Sequence, residues 1–185
     1  QVVLSPVSNR KIYEMGIESI PSESECYPAK LAHGHIEWLI GQHVDFIFYP
    51  ALFYERNEFQ AANNHYNCPI VTSYSENIKN NVEAIGRGEV VFKNPFMSFT
   101  SPELIAQSLI KEFPDIDASE ITDAVNAGWK ELEAVRQDMY HKGEEVIQYI
   151  EKNHSRAIVL AGRPYHIDPE INHGIPELIT SYGIA

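Results

Sequence analysis

The chain of 185 residues contains only two cysteines, Cys26 and Cys68. They stand far apart and no Cys-x-x-Cys pair exists. A zinc ribbon or a thioredoxin-type centre is therefore not supported, and two thiols make no disulfide framework. Long apolar runs are missing too. The longest, at 44–50 and 157–161, fall far short of the roughly 20 residues that cross a bilayer. Basic residues are scarce, with 14 Lys and Arg against 26 Asp and Glu and a formal net charge of −12. A surface this acidic repels phosphate backbones and acidic leaflets, so neither nucleic acid nor a membrane is an expected partner. An anionic ligand such as a CoA ester then needs a local basic or helix-terminal site. Three motifs are absent: the Gly-x-x-x-x-Gly-Lys phosphate loop, the Gly-x-Gly-x-x-Gly dinucleotide turn and the Gly-x-Ser-x-Gly elbow. Any ATP chemistry is expected outside these residues. No leader-like segment opens the chain, and the cytoplasm is the expected compartment. Both ends, an apolar run after Gln1 and a turn-like Ser181-Tyr182-Gly183 before Ile184-Ala185, are expected to be cuts within a longer protein.

What is present alternates between strand and helix. Residues 2–4 read as a buried strand. Ser8 or Asn9 caps a helix that Gly16 stops. A polar connection over 17–25 leads to a second helix over 28–40, with Pro28 in its first turn and Gly41 at its end. Residues 44–49 form the clearest strand, closed by Pro50. The Asn-rich stretch 55–67 reads as a loop, 68–72 as a short β run, 75–84 as a helix, 86–88 as a turn and 89–93 as a strand. This order predicts a Rossmann-like parallel sheet flanked by helices. Ser101 then opens a helix to about residue 113. From Ile121 to Ile150, apolar residues recur at steps of three and four, which predicts one long helix capped by Asp117 or Ser119. Its apolar face is expected to pack against the sheet, and Gly143 is a weak point within it. Residues 157–161 read as the first strand of a second α/β unit. The expected organisation is therefore a Rossmann-like α/β domain over 1–100, a helical connection over 101–153, and the start of a second unit over 154–185.

Cys26 falls at the start of a predicted helix, where unpaired N–H groups and the helix dipole favour the thiolate that metal ligation requires. From spacing alone, a small packed residue at a helix start is the preferred reading. Cys68 precedes Pro69, a pairing known from iron–sulfur sites, although there it sits in a dense cysteine run. On the β reading it stands at the N-terminal end of a strand, whereas open α/β sheets gather ligands at the C-terminal ends. His33 and His35 are two apart on a helix and face different ways, so they do not chelate one ion. His65 is a loop residue near Cys68. Gly162-Arg163-Pro164-Tyr165-His166 follows a predicted strand directly, where α/β folds bind ligands. Arg163 suits a phosphate or carboxylate. A tight turn whose polar groups (Asp168, Glu170, Asn172) cap a following helix accounts for the same residues equally well.

Three segments carry a resemblance. They are Glu23-Ser24-Glu25-Cys26-Tyr27-Pro28-Ala29-Lys30-Leu31-Ala32-His33-Gly34-His35, then Cys68-Pro69-Ile70-Val71-Thr72-Ser73-Tyr74, then Ala161-Gly162-Arg163-Pro164-Tyr165-His166-Ile167-Asp168-Pro169-Glu170-Ile171-Asn172-His173-Gly174-Ile175-Pro176. Together they resemble the acyl-CoA dehydratase activase-related family, which is similar to the cluster-bearing subunits of 2-hydroxyglutaryl-CoA dehydratase. The resemblance spans essentially the whole chain. It implies Rossmann-like domains and an oxygen-sensitive, ATP-dependent electron-transfer system. In that system an actin-like ATPase of the BadF/BadG type, in the same chain or a separate one, injects an electron into an iron–sulfur partner of 4Fe–4S type. An acyl-CoA is the further expected partner. By position, the resemblance makes Cys26 and Cys68 metal ligands and gives Gly162, Arg163 and His166 the ligand- or cluster-binding turn. The family's third cysteine is not among these residues and is expected beyond Ala185. The other readings are a module binding a CoA ester or nucleotide, and a docking domain for the ATPase that uses the long helix.

Overall fold

The computed structural model describes residues 2–185. The chain forms two compact units, Gln1–Val125 and Asn126–Ala185. In the first, helix α1 (Arg10–Gly16) is capped by Asn9, whose side-chain oxygen accepts the Lys11 and Ile12 amides at 3.0 and 3.2 Å. Helix α2 (Tyr27–Gly41) follows, with Cys26 as its N-cap and a proline in the first turn. The chain then alternates through strands β1 (Phe46–Phe48) and β2 (Ala51–Glu55), helices α3 (Pro69–Asn81) and α4 (Glu83–Gly86), strands β3 (Val91–Lys93) and β4 (Phe96–Phe99), and helix α5 (Pro102–Glu112). Ser101 caps α5 through the Leu104 amide.

β1 pairs in parallel with β3, and β2 in parallel with β4. These two small sheets are in effect one interrupted ribbon. Phe46 opposes Val91 and Ala51 opposes Phe96, the same offset of 45 positions (91 − 46 and 96 − 51) on both sides of the break. Pro50 and Pro95 therefore stand opposite each other. Neither has an N–H, so the ladder is cut on both strands at one level. The Tyr49 amide to the Lys93 carbonyl and the Ala51 amide to the Pro95 carbonyl, both 2.9 Å, carry the ribbon across the gap. Ile47 faces helices, and with Ile36, Ile78, Val82, Ala84 and Val90 it builds the core. Phe46 and Phe48 point the other way and meet Phe113 at ring separations of 6.0 and 5.6 Å.

Helix α6 (Ala118–Asn153) begins in the first unit and continues through nearly half of the second. Asp117 opens it by accepting the Ser119 amide at 2.8 Å. A short 3-10 turn, Pro164–Ile167, and helix α7 (Ile175–Ser181) follow.

The helices and small parallel sheets agree with the expectation; four local readings do not. Residues 2–4 form no strand, and Val2 and Leu4 are exposed. Residues 69–72 begin helix α3 rather than a β run, because Pro69 occupies the first turn, where its missing N–H costs nothing, while Ile78 further along is fully buried. Strands β2 and β4, beyond the two prolines, were not expected. Residues 157–161 form no named strand, and Val159 is 91% exposed. Only the Ile158 amide to the Ala185 carbonyl (2.8 Å) and the Ala185 amide to the Arg156 carbonyl (3.0 Å) tie this segment down. Of the apolar residues of α6, Ile121 is buried, whereas Val135, Met139 and Val146 are exposed.

Candidate functional site

The first candidate site grows from the contact of α1 with α2. Gly16 and Gly34, both buried, face each other there. A Cβ on Gly34 would overlap the Ile12 carbonyl, and one on Gly16 would overlap the Gly34 amide. This approach brings Ser19 against His33, which is almost fully buried. Ser19 Oγ donates its one proton to the Gly16 carbonyl at 3.1 Å and lies 2.9 Å from His33 Nδ1. The hydroxyl has no second proton to give, so His33 must donate through Nδ1. Its other nitrogen, Nε2, then presents a lone pair toward Glu25 Oε2, 4.0 Å away and beyond hydrogen-bond reach. Glu25 accepts from Asn77 on α3 through its other oxygen.

Burial pushes the His33 imidazole below its ordinary value of 6.5. Burial likewise raises the Glu25 carboxyl above 4.5, opposed by Lys30 and by the Asn77 bond. The two act in opposite pH ranges. The lowered His33 contributes stability that is present above pH 6.5 and lost as pH falls through its folded value. The raised Glu25 contributes stability that is present below pH 4.5 and lost as pH rises through its folded value. Neutral pH therefore carries the cost of a buried, ionised Glu25. Glutamine keeps the Asn77 bond and offers an N–H toward His33 Nε2. Glu25→Gln is expected to be more stable than the parent by about 1 kcal/mol at neutral pH, with the difference vanishing near pH 4. Urea denaturation at both pH values measures this. Equal stability at neutral pH would show that Glu25 is not penalised by its burial.

Cys26 follows Glu25 directly. Its Sγ lies 4.0 Å from the Tyr74 hydroxyl on α3. Cys68 is the N-cap of that same helix. The loop before it doubles back along β2: the Glu55 amide donates to the His65 carbonyl at 2.8 Å, and the Asn67 amide to the Phe53 carbonyl at 3.0 Å. Asn67 Nδ2 also reaches the Leu52 carbonyl and Glu55. Cys68 is thus fixed at a helix start, not at the N-terminal end of a strand. Both cysteines are exposed, free thiols. Neither helix has a side-chain cap, unlike α1 and α5. Tyr74 belongs to the helix that Cys68 begins, so the two thiols are held by adjoining helices. Among the described residues, no group of three or more His, Cys, Asp or Glu is arranged to hold a metal ion. His65 stands edge-on to Tyr54 at 6.0 Å, and His35 bonds Ser8.

The second candidate is the turn at Gly162. His166 folds back so that Nδ1 accepts the Arg163 amide at 2.8 Å, and its ring occupies the space a Cβ on Gly162 would need. Tyr165 packs on the His166 ring at 4.6 Å. Asp168 accepts the Glu170 and Ile171 amides, and Asn172 accepts the Gly174 amide. The structure therefore brings Gly162, Arg163 and His166 together, through bonds that also build the turn. Sequence reasoning did not find Ser19, Glu25, Tyr74 or Asn77. Tyr74 and Asn77 lie on α3, but Ser19 and Glu25 lie in the connection before α2, where no local pattern marks them.

An α/β chain with two exposed cysteines at the starts of adjoining helices is the class defined so far. The family model described as CoA enzyme activase uncharacterised domain matches residues 1–185. The chain belongs to that family. Neither a curated protein nor a solved structure gives a match. No helix among the described residues is long and apolar enough to cross a membrane.

Proposed function

We propose that this chain is part of the iron–sulfur electron-transfer component of an ATP-dependent, 2-hydroxyacyl-CoA dehydratase/activase-like system, with Cys26 and Cys68 as cluster ligands. The observation that carries the reading is that both thiols are exposed at uncapped starts of adjoining helices instead of packed in the core. The donors fit a cluster in kind. They do not fit in number, because a four-iron cluster takes four ligands, or three and an exogenous one. The remaining ligands come from outside these residues. A bound cluster supplies one-electron chemistry at low potential. The chain's own part is to hold two thiols at helix starts, with Tyr74 beside one of them.

Several further assignments belong to the same reading. The electron donor is an actin-like ATPase of the BadF/BadG type, and the system works in an oxygen-free cytoplasm. Gly162, Arg163 and His166 contact an anionic ligand such as an acyl-CoA. The exposed Arg163 guanidinium serves that role, while His166 spends Nδ1 on its own turn. The two hydrogen bonds that flank Ala157, to and from Ala185, have the pattern of a parallel strand pair and support a second Rossmann-like unit.

The test is iron and acid-labile sulfide in the full-length protein, reconstituted without oxygen. Stoichiometric iron and sulfide are expected, falling by more than half in Cys26→Ala and in Cys68→Ala. Unchanged iron per chain in both variants would remove the cysteines from the site. No iron in the parent would leave a ligand-binding or ATPase-docking module.

A further inference from the structure

We infer that Glu25 and His33 bind one buried water molecule between them, and that this water clamps the segment before Cys26 to helix α2. Both side chains lie almost wholly inside the protein, Glu25 at 6% and His33 at 2% exposure. Glu25 Oε2 accepts a hydrogen bond from none of the described residues. Opposite it, 4.0 Å away, stands His33 Nε2. What that nitrogen offers follows from the other side of the ring. Ser19 Oγ gives its proton to the Gly16 carbonyl, so Nδ1 carries the imidazole proton and Nε2 a lone pair. Two acceptors therefore face each other in the interior, and neither satisfies the other. Buried polar atoms in this position are the ones that ordered waters serve.

The ligand that suits such a pair donates two protons from one small atom, and water does this. An oxygen about 2.8 Å from each of two acceptors 4.0 Å apart subtends an angle of roughly 90° between them. That is a little narrower than the angle between water's own O–H bonds, so both hydrogen bonds come close to linear. A carboxyl proton shared directly with Nε2 would instead draw the two atoms to within about 3 Å. The consequence lies in the placement of Cys26. Glu25 Oε1 accepts from Asn77 on α3, the helix that Cys68 begins. Through the water, Oε2 reaches His33 on α2, the helix that Cys26 begins. One carboxylate thus joins the two cysteine-bearing helices. Another tie between this segment and α2, from Lys30 Nζ to the Glu23 carbonyl at 2.7 Å, lies in solvent.

A crystal structure of the full-length protein at neutral pH, at a resolution that shows ordered water, tests the inference. One peak is expected within about 3.2 Å of both the Glu25 carboxylate and His33 Nε2. The same measurement on Glu25→Gln reads the cause. Glutamine keeps an oxygen for Asn77, and its N–H donates straight to Nε2. The peak should then be lost, and the separation of the two side chains should shorten from 4.0 to about 3 Å. Direct contact between Glu25 and His33 in the parent would overturn the inference, as would the lack of any peak between them. A peak that persists in Glu25→Gln at unchanged separation would overturn the facing acceptors as the reason the water binds.

Discussion

Gly34→Ala is expected to destabilise the first unit by about 3 kcal/mol or more. The added methyl has nowhere to go. The atoms it meets belong to the Ile12 backbone, so no change of side-chain rotamer relieves the overlap. Helix α1 must lift from α2. The 3-10 turn Ile17–Ser19, joined to the end of α1, moves with it and takes Ser19 away from His33. His33 then lies buried with its Nδ1 proton unsatisfied, which adds roughly 1–3 kcal/mol. Gly16→Ala meets the backbone of His33 and Gly34 from the other side and should cost a similar amount. The two losses should not add, since one displacement relieves both. Gly41→Ala serves as the control, because a Cβ there meets nothing within 4 Å. Chemical denaturation followed by circular dichroism measures all three. A midpoint for Gly34→Ala equal to that of Gly41→Ala would mean that α1 does not lie on α2 as described.

Ile78→Ala should be nearly as damaging, at about 3–4 kcal/mol. Ile78 has no solvent exposure and sits among Ile36 from α2, Ile47 from β1, and Val82, Ala84 and Val90 from the crossover between the paired strands. Its removal opens a cavity where α2, α3 and the ribbon meet, with no exposed side available for collapse. Against a typical domain stability of 5–15 kcal/mol, such a loss leaves a substantial unfolded fraction near physiological temperature. Ile78→Val keeps most of the volume and should cost about 1 kcal/mol. The ratio of these two losses reports how rigidly the core is packed. An alanine variant no weaker than the valine variant would show that the site collapses freely. Because α3 also carries Tyr74 and Asn77, Ile78→Ala should loosen the surroundings of Cys26 as well, readable as faster alkylation of that thiol.

The helices were legible because their signals are local. Asn9, Ser101 and Asp117 announce helix starts that the structure places within a residue or two, and the period from Ile121 to Ile150 matches the span of α6. A helix closes its hydrogen bonds within its own segment, so its sequence suffices to define it. Cys68-Pro69-Ile70-Val71-Thr72 misled because its β-branched residues favour strands, while one proline in a first turn and one buried Ile nine residues later decided for a helix. Residues 2–4 have strand composition but pair with no strand among the described residues, and 157–161 meet only Ala185, through the bonds on either side of Ala157, so neither forms a named strand.

By itself, the sequence determined the capped starts of α1, α5 and α6, the acidic surface, the absence of the common nucleotide motifs and the presence of only two thiols. Only the tertiary structure decided that Pro50 stands opposite Pro95, that Glu25 turns toward His33 and Asn77, and that Cys26 lies beside a tyrosine from the helix that Cys68 begins. Each of these joins residues distant in the chain. Their geometry depends on how closely α1 and α2 approach at Gly16 and Gly34 and on how α3 is set by its buried Ile78, and no stretch of local sequence specifies that.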